Sequence, residues 1–175
     1  MPSAPPLSNV IDLAVLPQAG EELVIAPNAG QRSRLAEWTG VDAVDHFEAR
    51  VTVKKLSPSR FGYEADVNAD VVQSCVVTLE PVRSHLAFQF AREFHLVRSA
   101  SRLPDEAFGP EAAQDDVPEE ITDTKFDVAG PVLEEFALAI DPYPRAPGVA
   151  YRPEPEPEEA RESPFAALKR LKNTG

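Results

Sequence analysis

Two alternating runs in the middle of the chain restrict its fold more than any other feature. Phe47, Ala49, Val51 and Val53 alternate with Glu48, Arg50, Thr52 and Lys54; beyond a turn at Ser57-Pro58-Ser59, Tyr63, Ala65, Val67, Ala69 and Val71 alternate with Glu64, Asp66, Asn68 and Asp70. A period of two puts every second side chain on one face of an extended strand, so both runs read as half-buried strands. Cys75, Val77 and Leu79 keep the parity of the second run, which therefore predicts a strand reaching Leu79, long enough to bend or bulge midway. Glu80-Pro81 ends it. Leu86, Phe88 and Phe90 open a further strand to about Val97, with Phe94 and Leu96 keeping parity across Arg92. Short turns between them predict antiparallel neighbours.

A sheet with an apolar face needs a cover. Val132, Leu133, Phe136, Ala137 and Ile140 recur at helical spacing, with Glu134 and Glu135 opposite, so the sequence predicts an amphipathic helix near 129 to 141. Asp127 or Gly130 can cap its start, Pro131 is tolerable in a first turn, and Asp141-Pro142 stops it. Prolines at 142, 144 and 147 then force an extended exit. Nearer the N-terminus, Val10 to Leu16 and Glu22 to Ala26 read as short strands around a turn at 17 to 20. Asn28 to Thr39 reads as a helix capped by Asn28 and ended by Gly40, with Leu35 and Trp38 facing inward.

From Pro104 to Thr124 there is no Lys or Arg and eight residues are acidic. Such a segment gains little from burial to offset its ordering entropy, and residues 98 to 125 are expected to form a mobile acidic loop anchored only by Phe108 and Ile121. Residues 1 to 8 are expected to be disordered and 149 to 162 to be a stiff Pro/Glu-rich linker; the single α+β domain spans 9 to 148. Ser163-Pro164 then starts a short helix within 163 to 175, with Phe165, Leu168 and Leu171 on one side and Lys169, Arg170 and Lys172 on the other.

The formal charge of -12 and a pI near 4.7 oppose wholesale binding to a phosphate backbone, which depends on clustered Lys and Arg. An acidic body suits a basic protein partner better. One cysteine excludes an internal disulfide. Neither a signal-peptide pattern nor a membrane-length apolar run is present, which leads to the expectation of a cytoplasmic protein without a membrane partner. His46, His85 and His95 stand at no metal-ligand spacing, and no phosphate loop or nucleophile motif occurs. No catalytic, cofactor or metal residues are assigned.

Three stretches together resemble the YceD family, the large ribosomal RNA subunit accumulation proteins of bacteria and plastids. They are Gln73-Ser-Cys-Val-Val-Thr-Leu-Glu-Pro-Val82, the helix from Phe126 to Ile140 running into Asp-Pro-Tyr-Pro-Arg-Ala-Pro-Gly148, and Ser163-Pro-Phe-Ala-Ala-Leu-Lys-Arg-Leu-Lys172. Many relatives carry Cys-x-Arg-Cys where this chain has Cys75-Val-Val-Thr78, so no thiol pair for a metal is expected. The resemblance implies a non-enzymatic factor supporting synthesis, processing or accumulation of large-subunit ribosomal RNA. The partner expected from the charge is a ribosomal protein or large-subunit assembly factor, with possible RNA contact through the terminal basic helix. Candidate binding residues are Cys75, Glu80, Pro81, Glu134, Glu135 and Pro144, with Phe165, Lys169, Arg170 and Lys172 at the C-terminus. The rival readings are a soluble binding or regulatory module unrelated to ribosomes, and an enzyme using Cys75 or a carboxylate in the cleft between helix and sheet.

The expected architecture is α+β: an antiparallel, strongly bent sheet or small open barrel packed against two to three helices, with the acidic loop and a tethered C-terminal helix outside it.

Overall fold

A computed structural model of the chain describes residues 5–97 and 118–150. Its centre is a five-stranded sheet in the order β2 (Glu21–Ile25), β3 (Ala43–Lys55), β4 (Arg60–Ser74), β5 (Pro81–Leu96), β6 (Glu119–Ile121). The two long alternating runs are β3 and β4, paired antiparallel from Ala43↔Val72 to Lys55↔Phe61. The irregularity falls between Val44 and His46 of β3, while β4 and β5 pair without a break over fifteen residue pairs. The sheet does not close into a barrel: β2 and β6 stand at its two ends.

The sheet is mixed, where the short turns predicted only antiparallel pairs. β6 lies parallel to β5, with Phe94↔Glu119 and Leu96↔Ile121 in register. Composition hid this strand. Glu119 and Glu120 are poor strand formers, so residues 119–121 sat inside the expected acidic loop; Ile121 packs against the core and its carbonyl accepts the Val97 N–H at 2.9 Å. Phe108 lies outside the described residues.

A second, two-stranded sheet pairs β1 (Val10–Asp12) with β7 (Lys125–Asp127). β1 is shorter than the expected 10–16 strand because Leu13–Val15 turns as a 3-10 helix, capped by the Asp12 carboxylate on the Ala14 N–H. Leu7, in the lead expected to be disordered, is buried with the core.

The helix α1 (Ala29–Thr39) starts with a full capping box: the Asn28 side chain takes the Gln31 N–H and the Gln31 side chain takes the Asn28 N–H. It ends at Gly40 in the left-handed region, φ 74°. Leu35 and Ala36 are buried, but Trp38, expected in the core, is 40% exposed. It sits at the margin of the narrow stripe that this otherwise polar helix presents.

The helix α2 (Ala129–Ala139) covers the apolar face of β3 and β4. Phe136 meets Phe47 edge to face at 5.1 Å between ring centroids, and the Tyr63 hydroxyl donates to the Val128 carbonyl at 2.7 Å. Neither expected residue stands at the cap position, and Gly130 lies inside the helix. Val128 occupies the cap position, and Asp127 accepts the N–H groups of Ala129 and Asn9, tying α2 to the N-terminal strand. The opposite sheet face is polar and carries cross-strand pairs such as Lys54–Glu64 at 3.2 Å and Gln89–Asp66 at 2.6 Å.

Candidate functional site

β4 ends at Ser74, five residues before the parity predicted. Val76, Val77, Thr78 and Leu79 are good strand formers, yet the backbone turns: the Leu79 N–H donates to the Cys75 carbonyl at 2.9 Å and the Cys75 N–H to the Glu80 carbonyl at 2.8 Å. This closes a six-residue turn that delivers Pro81 to the start of β5, opposite Ser74. Leu79 takes φ 61°, the only non-glycine residue among those described with a positive φ. A left-handed leucine costs roughly 1–2 kcal/mol against an extended one. Its side chain, moreover, is 78% exposed, so no burial offsets that strain.

The turn is braced from outside by the segment leaving α2. Gln73 Nε2 donates to the Asp141 carbonyl at 2.8 Å, the Val76 N–H to the Pro144 carbonyl at 2.9 Å, and the Ala146 N–H to Cys75 Sγ at 3.4 Å. Gln73 meets residue 141 and Val76 meets residue 144, so the exit passes the end of β4 and enters the turn in the same direction, and the Cys75 side chain reaches two residues further along it to Ala146. Its prolines keep it extended. Pro144 is buried against the turn, whereas Tyr143 beside it is 70% exposed.

Cys75 is the hub. Its side chain has no exposed surface, and Sγ accepts the N–H groups of Val77 at 3.5 Å and Thr78 at 3.4 Å as well as that of Ala146. The Thr78 hydroxyl and the three amides favour the thiolate and lower the thiol to about 6, against the opposing effect of burial. A reactive cysteine needs access and a neighbouring base. Here the sulfur is enclosed, and every side-chain or backbone group bonded to it is a donor. The geometry makes Cys75 a staple between turn and exit.

The sequence-predicted residues therefore divide into three groups. Cys75, Glu80, Pro81 and Pro144 come together in this one structure. Glu134 and Glu135 stand apart, on the outer side of α2, where both clamp Arg92 of β5 at 2.7 Å; Glu119 of β6 approaches the same guanidinium at 3.6 Å. They lock α2 onto the sheet. Phe165, Lys169, Arg170 and Lys172 lie outside the described residues.

Sequence reasoning missed the exposed apolar side chains that the braced turn displays: Val76, Val77, Leu79 and, on the exit, Tyr143. Strand parity assigned Val77 and Leu79 to the core. The single available warning was Glu80-Pro81, which marks the end of the turn and not its beginning. Arg92 was read as an interruption in a strand; its flanking carboxylates come from α2 and β6, which no local pattern could reveal. Among the described residues no group of three or more His, Cys, Asp or Glu side chains is placed to hold a metal, and no helix is long and apolar enough to cross a membrane.

Comparison with known families matches residues 63–172 to the model described as large ribosomal RNA subunit accumulation protein YceD. Comparisons with curated proteins and with solved structures returned no match. The matched range is more than half of the chain, begins at the buried tyrosine that fixes α2, and contains the whole braced turn, Arg92 with its carboxylates, and the proline-rich exit. The chain belongs to the YceD family of large ribosomal RNA subunit accumulation proteins.

Proposed function

We propose that this protein supports the accumulation of large-subunit ribosomal RNA as a non-enzymatic binding factor, and that the turn at residues 75–80 with the exit at 141–148 is its contact surface for a ribosomal protein or assembly factor. The observation that carries the surface is Leu79: strained in backbone, exposed in side chain, and rigidly framed by Cys75. Strain that serves no burial points to a use outside the fold. Val76, Val77 and Tyr143 enlarge the same apolar surface, and Glu80 and Arg145 give it a polar rim.

The charge of -12 supports a basic protein partner over naked RNA. Lys169, Arg170 and Lys172 supply a secondary contact with ribosomal RNA in this reading, and the setting is the cytoplasm. Sedimentation of the tagged protein through a sucrose gradient, at low and at high salt, tests it. Co-migration with immature large-subunit particles, weakened by salt, is expected. Protein that stays at the top in both salts would contradict it and favour a module unrelated to ribosomes.

A further inference from the structure

β5 spans sixteen residues, yet β6 pairs with only the last three, Phe94 to Leu96. Among the described residues no strand lies beside residues 82–93 on the side away from β4. The direction of the backbone groups there can be worked out. The Leu96 N–H donates to Ser59 on the β4 side, and the Val97 N–H donates to Ile121 on the β6 side. The β4–β5 register has no break, so even-numbered residues of β5 bond β4, and odd-numbered residues from Arg83 to Glu93 turn their N–H and C=O groups to the open edge.

Such an edge is normally blunted by a bulge, a proline or a lysine within it. Between Val82 and Glu93 there is no bulge, proline or lysine, and the charged residues that stand there, Arg83, Arg92 and Glu93, are each held in an ion pair. Next to the edge, on the inner face, Leu86, Phe88 and Phe90 are only half-buried, with the two phenylalanine rings stacked 6.4 Å apart. They would be covered by the alternate side chains of one more strand. Acidic groups crowd both faces: Glu119, Glu134 and Glu135 around Arg92 on the inner one, Asp66, Asp70 and Glu93 on the outer. Among the described residues the arginines beside this edge are paired, Arg60 with Glu93, Arg83 with Asp45 and Arg92 with three carboxylates, and three carboxylates around one guanidinium leave the inner side net negative.

We infer that the edge of β5 left open among the described residues takes an extended, basic polypeptide segment as an added strand, with apolar residues at every second position over Leu86, Phe88 and Phe90 and Lys or Arg between them. The inference rests on the assembly-factor reading for the partner's origin, but the edge is a different surface from the braced turn. A second copy of the chain is the poorer occupant, because two bodies of -12 repel.

Amide hydrogen exchange on the full chain tests this without any substitution. In the free protein Leu86, Phe88 and Phe90 amides are expected to be protected and those of Ala87, Gln89 and Ala91 to exchange readily. A synthetic peptide of about ten residues alternating lysine and valine should slow the second set at least about tenfold, and the same peptide with glutamate for lysine should not. Joint Ala87→Pro and Ala91→Pro substitution removes two outward donors at positions where an edge strand tolerates proline, and should weaken peptide binding at least about tenfold. Odd-numbered amides already protected without peptide, at all concentrations or only at high ones, would mean that the edge is covered by this chain or by a second copy and would overturn the proposal. So would equal binding of the glutamate peptide, or undiminished binding by the proline variant. Failure here combined with reduced large-subunit ribosomal RNA in cells lacking the protein would sink the edge proposal alone and leave the assembly role standing.

Discussion

The Ala146 amide donates to Cys75 Sγ at 3.4 Å across 71 positions of sequence, and this contact joins the end of β4 to the exit from α2. A buried sulfur that accepts three amides is held as a thiolate more easily than a free one, which lowers the thiol from 9.0 to about 6. The folded group thus loses its proton more readily than the unfolded one, so its contribution to stability is fully present above pH 9 and is lost as pH falls through 6. Urea unfolding at several pH values is expected to show native stability rising from pH 6 to 9 more steeply than that of Cys75→Ala. Equal slopes in the two proteins would remove the staple. Native Cys75 should also resist a thiol reagent that labels the urea-unfolded chain quickly; fast labelling of the folded protein would reopen the catalytic reading.

Leu79 offers a test that separates fold from function. Leu79→Gly relieves a left-handed leucine but gives the unfolded chain more freedom, two effects of about 1 kcal/mol each with opposite sign. Stability is expected to change by less than about 1 kcal/mol, while association with large-subunit particles falls. A marked loss of stability with association intact would show that the side chain serves the fold.

Arg92 should fix the position of α2. Its guanidinium is mostly shielded, and Arg92→Ala removes two charge-assisted bonds at 2.7 Å while leaving Glu134 and Glu135 facing each other. A cost of about 1–2 kcal/mol is expected, since the carboxylates remain partly solvated. Raised salt should narrow the gap between variant and native protein. A variant as stable as the native chain at low salt would show the cluster to be ornamental to the fold.

Tyr63→Phe isolates one hydrogen bond. Burial raises the Tyr63 hydroxyl pKa and its only described partner is the Val128 carbonyl, which would lose that donor. The expected cost is about 1–3 kcal/mol, read by urea unfolding. Phe136→Ala, which empties the space against Phe47, should cost more, about 3–5 kcal/mol. A reversed order would mean that α2 is held by its first turn and not by its apolar stripe.

Much of the sheet and both helices were legible because their signals are local. Alternation at 47–53 and 63–71 fixes which side chains face inward, and Asn28 with Gln31 marks a helix start without tertiary help. Three things were not legible, each for a physical reason. β6 is three residues long and two of them are glutamates, so only its neighbour β5 makes it a strand. The turn at 75–80 contains no glycine or asparagine and is imposed by donors converging on Cys75, one of them from residue 146. Trp38 fits the helical spacing of an inward residue, but α1 buries only Leu35 and Ala36, a stripe too narrow to take in the indole, and how wide a stripe is covered depends on the sheet beneath it. As for the candidate site, Cys75, Glu80, Pro81 and Pro144 were named as members of motifs; that they touch one another is a property of the fold.

The contact surface proposed for large-subunit ribosomal RNA accumulation is the braced turn with its exposed apolar side chains. The most direct test is the ratio of large- to small-subunit ribosomal RNA in cells whose only copy of the protein is native or carries Val77→Asp with Leu79→Asp, two positions whose side chains face solvent. The variant is expected to fold with native circular dichroism and to lower the ratio as far as deletion does. A well-folded variant that sustains the native ratio, in cells where deletion lowers it, would show that the turn is not the contact surface.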